Sequence, residues 1–308
     1  MATRCGAEGP SCVDSVIRGQ FTFLRKLLAE LSQENHICDP FCCILHYTFY
    51  SAQPRRNDLM ASDKIHTIVL AAHLDDGVLS CGGLIYQRTQ AGEGVLVATV
   101  MAGDAKGGPS DYAQSLRDRW QLDTSAEAQR RAEDAAACQV LGAGYLHWPI
   151  PDCIYRGGAD GTMYYQSDNE IFGPVHPGEA GLVADVVALL RSLPGAEQIV
   201  APLTVGNHVD HIFVRQAAEQ VFGQRLSYYE DYPYAQKKGS VQAVLETTGQ
   251  EWQATVYPLS EAALQAKIEA ILAYRSQFST FWTDRADLER QVRGYAESVG
   301  GERVWRKA

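Results

Sequence analysis

Two short segments of the chain combine histidine with aspartate at spacings that suit metal chemistry. The first is Ala-His-Leu-Asp-Asp-Gly (72–77), which follows an apolar run, and the second is Asn-His-Val-Asp-His (207–211). Catalytic zinc sites take nitrogen or oxygen ligands from three side chains and keep a fourth position for water. Together the two segments supply three such ligands and, in addition, one group that could act as an acid and one that could act as a base. This combination of residue types predicts a hydrolase.

The predicted metal ligands are His73, Asp76 and His211, which form a set of two histidines and one carboxylate. Iron(II) also binds to such a set, so the residue types leave zinc and iron(II) open. Asp75 and His208 are not needed as ligands and remain for proton transfer. His208 and His211 are three residues apart, which places both on one face of the first turn of a helix.

Composition restricts the kinds of protein that the chain can be. Its 308 residues carry a net charge of −10, and they show no basic cluster that would bind a nucleic acid. No apolar run approaches the roughly 20 residues of a membrane span, and the first residues lack the apolar core of a signal peptide. We therefore expect a cytoplasmic protein without a disulfide framework. The oligomeric state is left open, with a homo-oligomer as one option.

The first 61 residues differ in pattern from the remainder. Residues 21–31 could form an amphipathic helix, but the rest of this segment has no clear periodicity. Met-Ala-Ser-Asp-Lys (60–64) resembles the beginning of a polypeptide chain and lies just before the first strand. We expect a loosely structured extension over residues 1–61, which need not be translated in the cell, and one folded domain over residues 62–308. Mass spectrometry of the native N-terminus would decide this point.

Strands and helices alternate from residue 66 onwards. The predicted apolar strands are 66–72, 94–101, 145–148, 198–202 and 226–230, and the predicted helices are 77–91, 125–141, 178–193, 207–222 and 261–276. This alternation is typical of an α/β fold with a mostly parallel sheet and helices on both faces. Residues 242–247 and 252–257 are predicted to form an antiparallel strand pair near the C-terminal end.

Both segments stand at the carboxyl ends of predicted strands, which is the edge where open parallel sheets bind ligands. The first follows strand 66–72, and the second follows strand 198–202 and begins a helix with Asn207 as its N-cap. A single histidine at a strand end is often only a structural residue. Two such clusters at one edge favour a functional site.

The two segments resemble the signature motifs of the zinc-dependent de-N-acetylases of the PIG-L/LmbE family. The resemblance covers roughly residues 64–277. It implies a Rossmann-like sheet and removal of acetyl groups from N-acetylglucosamine-type conjugates, so the expected partner is a small amino-sugar molecule. It also implies zinc on His73, Asp76 and His211, with Asp75 as the general base.

Further roles follow from the same resemblance. It implies that His208 stabilises or protonates the tetrahedral intermediate and that Asp210 orients His208. A hydrogen bond from the imidazole to Asp210 would favour the imidazolium form. Arg130, within an Arg-x-x-Glu stretch, and Asp152 resemble substrate-contacting positions of the family. Taken alone, these two residues are equally consistent with a surface salt bridge and a turn.

The sequence departs from the family pattern at two positions. The first motif commonly reads Pro-His-Pro-Asp-Asp-Glu, whereas Leu74 and Gly77 stand here in place of the second proline and the glutamate. Neither position supplies a ligand, so the predicted metal site is retained. The two differences leave undecided which sugar subfamily the chain belongs to and what shape the pocket wall has. Residues 274–277 (Tyr-Arg-Ser-Gln) resemble another recurrent family stretch.

Alternative functions are compatible with the same residues. An amidase on this scaffold could act on a thiol conjugate or an antibiotic intermediate. A non-catalytic metal-binding or sugar-binding protein is a second option, but it would need neither Asp75 nor His208. A dinucleotide oxidoreductase is disfavoured, because no Gly-x-Gly-x-x-Gly follows the first strand.

Aromatic residues are concentrated in a glycine-rich stretch around Asp152. Trp148, Tyr155, Tyr164 and Tyr165 lie there and could stack on a sugar ring if the stretch borders the site. The alternative is a surface loop that is packed by its own aromatic residues.

Overall fold

The computed structural model describes residues 64–122 and 126–308. The predicted extension over residues 1–61 lies outside the described residues. None of the helices in the two described ranges is both long and apolar enough to cross a membrane.

One sheet of seven strands forms the centre of the described residues. Its strands are β1 (Ile65–Ala71), β2 (Gly94–Thr99), β3 (Gly144–His147), β4 (Gln198–Pro202), β5 (Leu226–Tyr229), β6 (Trp252–Tyr257) and β7 (Glu302–Lys307). Across the sheet the order is β3-β2-β1-β4-β5-β7-β6. Neighbours among β1 to β5 run parallel, whereas β7 runs antiparallel to β5 and to β6. The predicted α/β class, with a mostly parallel sheet and an antiparallel pair at the C-terminal end, is confirmed.

Helices cover both faces of this sheet. They are α1 (Asp76–Gln90), α2 (Asp111–Arg119), α3 (Ala126–Leu141), α4 (Asp168–Ile171), α5 (Leu182–Arg191), α6 (Val209–Phe222), α7 (Ser240–Thr247), α8 (Glu261–Ile271), α9 (Arg275–Phe281) and α10 (Arg285–Val299). Successive side chains of a strand point to opposite faces. In β1, Ile68 packs in one cluster with Leu190 of α5 and Phe213 of α6. Its neighbour Val69 packs in a second cluster with Val78 of α1, so both faces of the strand are apolar.

The antiparallel pair differs from the prediction in its members. Residues 242–247 belong to helix α7, and the partner of β6 is β7. Val241 and Leu245 are the buried residues of α7 and lie one helical turn apart. Burial of this apolar stripe therefore outweighs the preference of valine for strands, and the predicted strand is wrong. The predicted helix 261–276 is also interrupted, because α8 ends at Ile271 and α9 begins at Arg275.

Candidate metal centre and active site

The two predicted segments meet at the carboxyl edge of the sheet. Residues 72–75 connect β1 to α1, and residues 203–208 connect β4 to α6. Because β1 and β4 are neighbours, their ends deliver both segments to one place. The ring centroid of His73 lies 4.7 Å from that of His208 and 5.4 Å from that of His211. The structure thus brings the three histidines of the two segments together.

His73, Asp76 and His211 form a close group of donor atoms. The Oδ2 atom of Asp76 lies 3.2 Å from Nδ1 of His73 and 3.2 Å from Nε2 of His211. Ligands that share a tetrahedral zinc ion at bond lengths of about 2.0–2.1 Å are separated by about 3.3 Å. All three side chains are buried. Their residue types fit a zinc ion, and each histidine lies at ligand spacing from Asp76. His73, His208 and His211 also bring one ring nitrogen each within 4.8 Å of the others, so a metal ion could be shared by the three histidines as well.

Each of the two predicted ligand histidines turns its second nitrogen to a buried carboxylate. His73 Nε2 donates to Asp210 Oδ2 at 2.9 Å, and His211 Nδ1 donates to Asp231 Oδ1 at 2.7 Å. In the neutral rings, the nitrogens that face Asp76 then carry lone pairs. A nitrogen lone pair and a carboxylate oxygen repel each other, so a proton or a metal ion must lie between these ring nitrogens and Asp76. In agreement, burial lowers the pKa of His211, but Asp76 and Asp231 outweigh it and raise the pKa to about 10.

Asp231 is a site residue that the sequence analysis missed. It follows β5, which lies beside β4, so it reaches the same edge as the two segments. Its second oxygen accepts a hydrogen bond from the backbone N–H of Val205 at 2.8 Å, which fixes the carboxylate behind His211. The only signal in the sequence is an aspartate soon after another apolar strand, outside any motif.

The Asp210 side chain does not bind His208, in contrast to the expectation from the sequence. Its Oδ2 atom accepts from His73 and from the backbone N–H of Cys153, the latter at 3.0 Å. Its Oδ1 atom lies 2.7 Å from Nη2 of Arg156 in an ion pair, although it accepts no hydrogen bond from the described residues. The carboxylate is thus occupied by the ring of a predicted ligand and by an arginine.

His208 is the N-cap residue of α6, a position that the sequence suggested for Asn207. Its Nδ1 atom accepts a hydrogen bond from the backbone N–H of Asp210 at 3.3 Å. Nδ1 is therefore unprotonated, and in the neutral ring the proton lies on Nε2. Burial and the neighbouring His73 lower the pKa of His208 to about 3. The structure thus favours a neutral hydrogen-bond donor over the expected imidazolium form.

Asn207 connects the second segment to the loop between β3 and α5. Its side chain donates to the backbone carbonyl groups of Phe172 and Gly173 at 3.2 and 3.3 Å. Its φ of 63° lies in the left-handed region, which asparagine tolerates better than most residues. The Phe172 ring stands edge-on to His208, with 5.3 Å between centroids, and lies 5.8 Å from the Tyr234 ring. Sequence reasoning missed both aromatic residues because they lie outside the motifs.

The aromatic residues that were predicted to stack on a sugar have other surroundings. Trp148, Tyr155 and Tyr165 are buried. Tyr164 stacks on His176, with 4.3 Å between ring centroids. The structure therefore favours the alternative interpretation, a loop that is packed by its own aromatic residues.

Asp75 and Asp76 are adjacent but have different surroundings. Asp76 accepts a hydrogen bond from the backbone N–H of His73 at 2.7 Å. Burial raises its pKa, but His211 and His73 outweigh burial and hold the pKa well below its usual value. The Asp75 carboxylate has no hydrogen-bond partner among the described residues, and burial together with the charge of Asp76 raises its pKa to about 7. One carboxylate is thus held in place, and the other can exchange a proton near neutral pH.

Gly77, which replaces the glutamate of the family motif, lets α1 approach the sheet. A Cβ atom at this position would lie 3.1 Å from Cγ1 of Val97 and 3.4 Å from Cγ1 of Val69. A larger side chain here would press on these two valine side chains, which would have to give way by a few tenths of an ångström. The departure from the family pattern therefore reflects helix packing and leaves Asp76 in place.

Arg130 and Asp152 lie beside the histidine cluster and are largely buried, so they do not form a surface salt bridge. Arg130 Nη1 lies 3.5 Å from Asp152 Oδ2, which lies 3.8 Å from Nε2 of His73. The guanidinium group also packs over the Trp120 ring at 4.9 Å. Its buried Nε atom has no hydrogen-bond partner in the described part of the chain. Both residues are at the site, and their contact with a substrate stays a prediction.

The Arg-x-x-Glu stretch and the Tyr-Arg-Ser-Gln stretch bind each other. Glu133 accepts hydrogen bonds from the backbone N–H of Ser276 at 3.2 Å and from its hydroxyl group at 2.6 Å. Tyr274 donates to Asp134 at 2.6 Å. These contacts fix α3 against the start of α9 and so hold Arg130 beside the cluster.

A parallel α/β sheet with such a cluster and a carboxylate of raised pKa at its carboxyl edge is the arrangement of a metal-dependent hydrolase. Comparison with known proteins agrees with this class. Residues 68–222 match the PIG-L family, described as GlcNAc-PI de-N-acetylase. The chain therefore belongs to this family, and the resemblance seen in the sequence is confirmed.

Individual relatives are deacetylases. The 2'-N-acetylparomamine deacetylase of Streptomyces fradiae is 29% identical over 219 residues, which are 68% of this chain and 73% of that protein. The 2'-N-acetylparomamine deacetylase of Niallia circulans is 26% identical, over 58% of this chain and 70% of its own. The zinc-inhibited form of teicoplanin deacetylase Orf2 has a TM-score of 0.67 at 28% identity and covers 78% of this chain and 97% of its own. The chain is accordingly a hydrolase of the de-N-acetylase class.

Proposed function

We propose that the protein is a zinc-dependent hydrolase that removes the N-acetyl group of an amino-sugar conjugate, with His73, Asp76 and His211 as ligands and Asp75 as base. One feature of the site carries this function. Two imidazole nitrogens face one oxygen of Asp76 at 3.2 Å, beside a carboxylate without a hydrogen-bond partner in the described residues. A site that only binds a metal or a sugar has no use for such a base.

Zinc is the metal that we assign to this donor set, because its residue types are those of catalytic zinc sites. When bound, the ion lowers the pKa of a water molecule and polarises the acetamide carbonyl group. Iron(II) accepts the same kind of set. Metal analysis of the purified protein distinguishes the two.

Asp75 has the properties of a base that later returns its proton. Burial and the charge of Asp76 raise its pKa to about 7. A carboxyl group with a pKa near neutrality can both accept and release a proton during one turnover. We infer that Asp75 takes a proton from the attacking water molecule and passes it to the departing amine nitrogen.

His208 contributes a neutral N–H group in this proposal. Its Nδ1 atom is engaged by the backbone N–H of Asp210, so Nε2 is the donor. A donor fixed in a buried site stabilises negative charge that develops on the amide oxygen. The Phe172 ring stands edge-on to this imidazole, and in this proposal it helps to hold the ring in its donating orientation.

The substrate in this proposal is a small conjugate that carries an N-acetylated amino sugar, with Arg130 and Asp152 contacting its polar groups. The Nε atom of Arg130 has no hydrogen-bond partner among the described residues, so it gives the site a buried donor that a substrate oxygen could satisfy. Similarity to 2'-N-acetylparomamine deacetylases and to teicoplanin deacetylase favours such conjugates over a thiol conjugate. A cytoplasmic location stays a prediction from the sequence.

Acetate release and metal content, measured on the same purified protein, test this function. We expect about one equivalent of zinc. We also expect acetate release from 2'-N-acetylparomamine or N-acetylglucosamine conjugates, which chelation abolishes and added zinc restores. Full zinc occupancy without release from any acetylated sugar would leave a binding function. Release from an acetylated thiol conjugate alone would favour the amidase alternative.

A further inference from the structure

A series of buried polar groups continues from the histidine cluster into the loop between β3 and α5. Asp210 accepts from His73 on one side and pairs with Arg156 on the other, where Nη2 lies 2.7 Å from Oδ1. Arg156 in turn donates through Nε to one oxygen of Glu179 and through Nη2 to the other, the latter at 3.2 Å. Tyr165 donates to the same carboxylate of Glu179 at 2.7 Å.

Burial makes each of these groups depend on the next. The Asp210 side chain is 0% exposed, and that of Arg156 is 9% exposed. A charged group removed from water is stabilised only by its partners in the protein. If the arginine were absent, the hydrogen bonds that remain to the Asp210 carboxylate within residues 64–122 and 126–308 would come from His73 and the backbone N–H of Cys153.

We propose that Arg156 is a positioning residue for the metal centre, an inference that rests on the proposed function for the identity of the ligands. Arg156 fixes the Asp210 carboxylate so that Oδ2 receives the N–H of His73 Nε2. That hydrogen bond in turn directs Nδ1 of His73 toward Asp76. The arginine acts on the metal through these two side chains.

The planar guanidinium group is needed for this arrangement. Nε and Nη2 each donate a hydrogen bond to one oxygen of Glu179. Nη2 also forms the ion pair with Asp210, and Nη1 donates to the carbonyl oxygen of Pro151 at 3.1 Å. Lysine carries a single nitrogen and cannot reach these groups with the same geometry. A lysine at this position keeps the charge and loses the positioning.

Arg117 offers a control for the loss of a buried ion pair that does not contact the histidine cluster. Its Nη2 atom donates to Glu127 at 2.6 Å, and its Nε atom donates to the hydroxyl group of Tyr155 at 2.9 Å. Like Arg156, it is buried and has a glutamate and a tyrosine in its network. Its partners are not part of the histidine cluster.

The dissociation constant for Zn²⁺, measured on the full chain by competition with a chromophoric chelator, tests the proposal. We expect Arg156→Met and Arg156→Lys each to weaken zinc binding about 10- to 100-fold, the usual effect of disturbing the groups behind a metal ligand. Arg117→Met should leave zinc binding unchanged. Thermal unfolding of the metal-free variants measures the loss of stability separately. The unfolding temperature should fall in both Arg156→Met and Arg117→Met.

Glu179→Gln keeps the side-chain volume and weakens the hydrogen bonds that Arg156 and Tyr165 donate to Glu179, so it tests the proposal even if Arg156→Met does not fold. We expect it to weaken zinc binding in the same direction but less. Zinc binding of wild-type strength in Arg156→Lys and Glu179→Gln would overturn the proposal, as would an equal loss in Arg117→Met. Failure of the proposed function looks different, because the unmodified protein would then bind zinc and release no acetate.

Discussion

The site has two halves that differ in how their side chains are held. The metal half comprises His73, Asp76 and His211 with Asp210 and Asp231 behind them, and the substrate half comprises Asp75, His208 and Phe172. In the metal half, both imidazoles are fixed by hydrogen bonds of 2.9 Å or less to buried carboxylates. In the substrate half, the Asp75 carboxylate has no partner within the described ranges, and Nε2 of His208 meets the sulfur of Cys153 at 4.0 Å.

This difference separates two tasks. Ligands of a metal ion must keep one orientation, which the carboxylates behind them impose. Groups that act on a reacting substrate must keep a donor or an acceptor available until the substrate arrives. Substitutions in the metal half should therefore remove the metal, and substitutions in the substrate half should slow the reaction with the metal in place.

The largest effect is expected for His211→Ala in the metal half. Loss of one of three ligands should leave no zinc bound after gel filtration and no turnover, because a two-ligand site binds zinc weakly. Metal analysis and acetate release measure both quantities. His66→Ala is the control, since His66 accepts a hydrogen bond from the backbone N–H of Gly94 at 3.1 Å at the other end of β1 and should keep zinc. Stoichiometric zinc and full activity in His211→Ala would abolish the division into halves.

Asp75→Asn tests the substrate half, because it removes the carboxylate and leaves the side-chain volume almost unchanged. The amide cannot accept the proton of the attacking water, so kcat should fall about 10²- to 10⁴-fold, the usual contribution of a general base. Zinc content should stay at the wild-type level, because Asp75 is not a ligand in this proposal. An Asp75→Asn protein that loses its zinc would move this residue into the metal half, and one with normal kcat would need another base.

A smaller effect is expected for Asp231→Asn, behind the metal half. The amide weakens the hydrogen bond from His211 Nδ1, now 2.7 Å long, and should raise the zinc dissociation constant about 10- to 100-fold. At saturating zinc, kcat should approach the wild-type value. Asp287→Asn is the control, because Asp287 accepts from the backbone N–H of Thr283 at 3.1 Å as part of the cap of α10. Equal zinc affinity in both variants would contradict a role of Asp231 in the metal half.

The sequence predicts the three ligands of the metal half because each combines a suitable residue type with a position at the end of an apolar strand. The groups behind them are harder to find. Asp231 and Arg156 stand alone in the sequence, and only the parallel order of β1, β4 and β5 and the return of the β3–α5 loop bring them to the site.

In the substrate half, local backbone geometry decides what the sequence leaves open. Positive φ angles at Thr204, Gly206 and Asn207 shift the start of α6, so that His208 becomes the N-cap and its ring turns to the backbone N–H of Asp210. A motif gives residue types and spacing, but it does not give these angles. The same limit applies to the fold, where tertiary packing makes residues 242–247 a helix although their valine content suits a strand.

The smallest effect is expected for Phe172→Ala, which removes the ring beside His208 in the substrate half. An aromatic contact contributes about 0.5–1.5 kcal/mol, which corresponds to about a twofold to tenfold fall in kcat/KM. Zinc binding should not change. Tyr164→Ala is the matched control, because Tyr164 lies in the same segment between β3 and α5, on the other side of α4, and stacks on His176. If both variants lose activity equally, the order of the whole segment matters and the contact between Phe172 and His208 makes no separate contribution. If only Phe172→Ala loses activity, the ring itself holds the imidazole in its donating orientation.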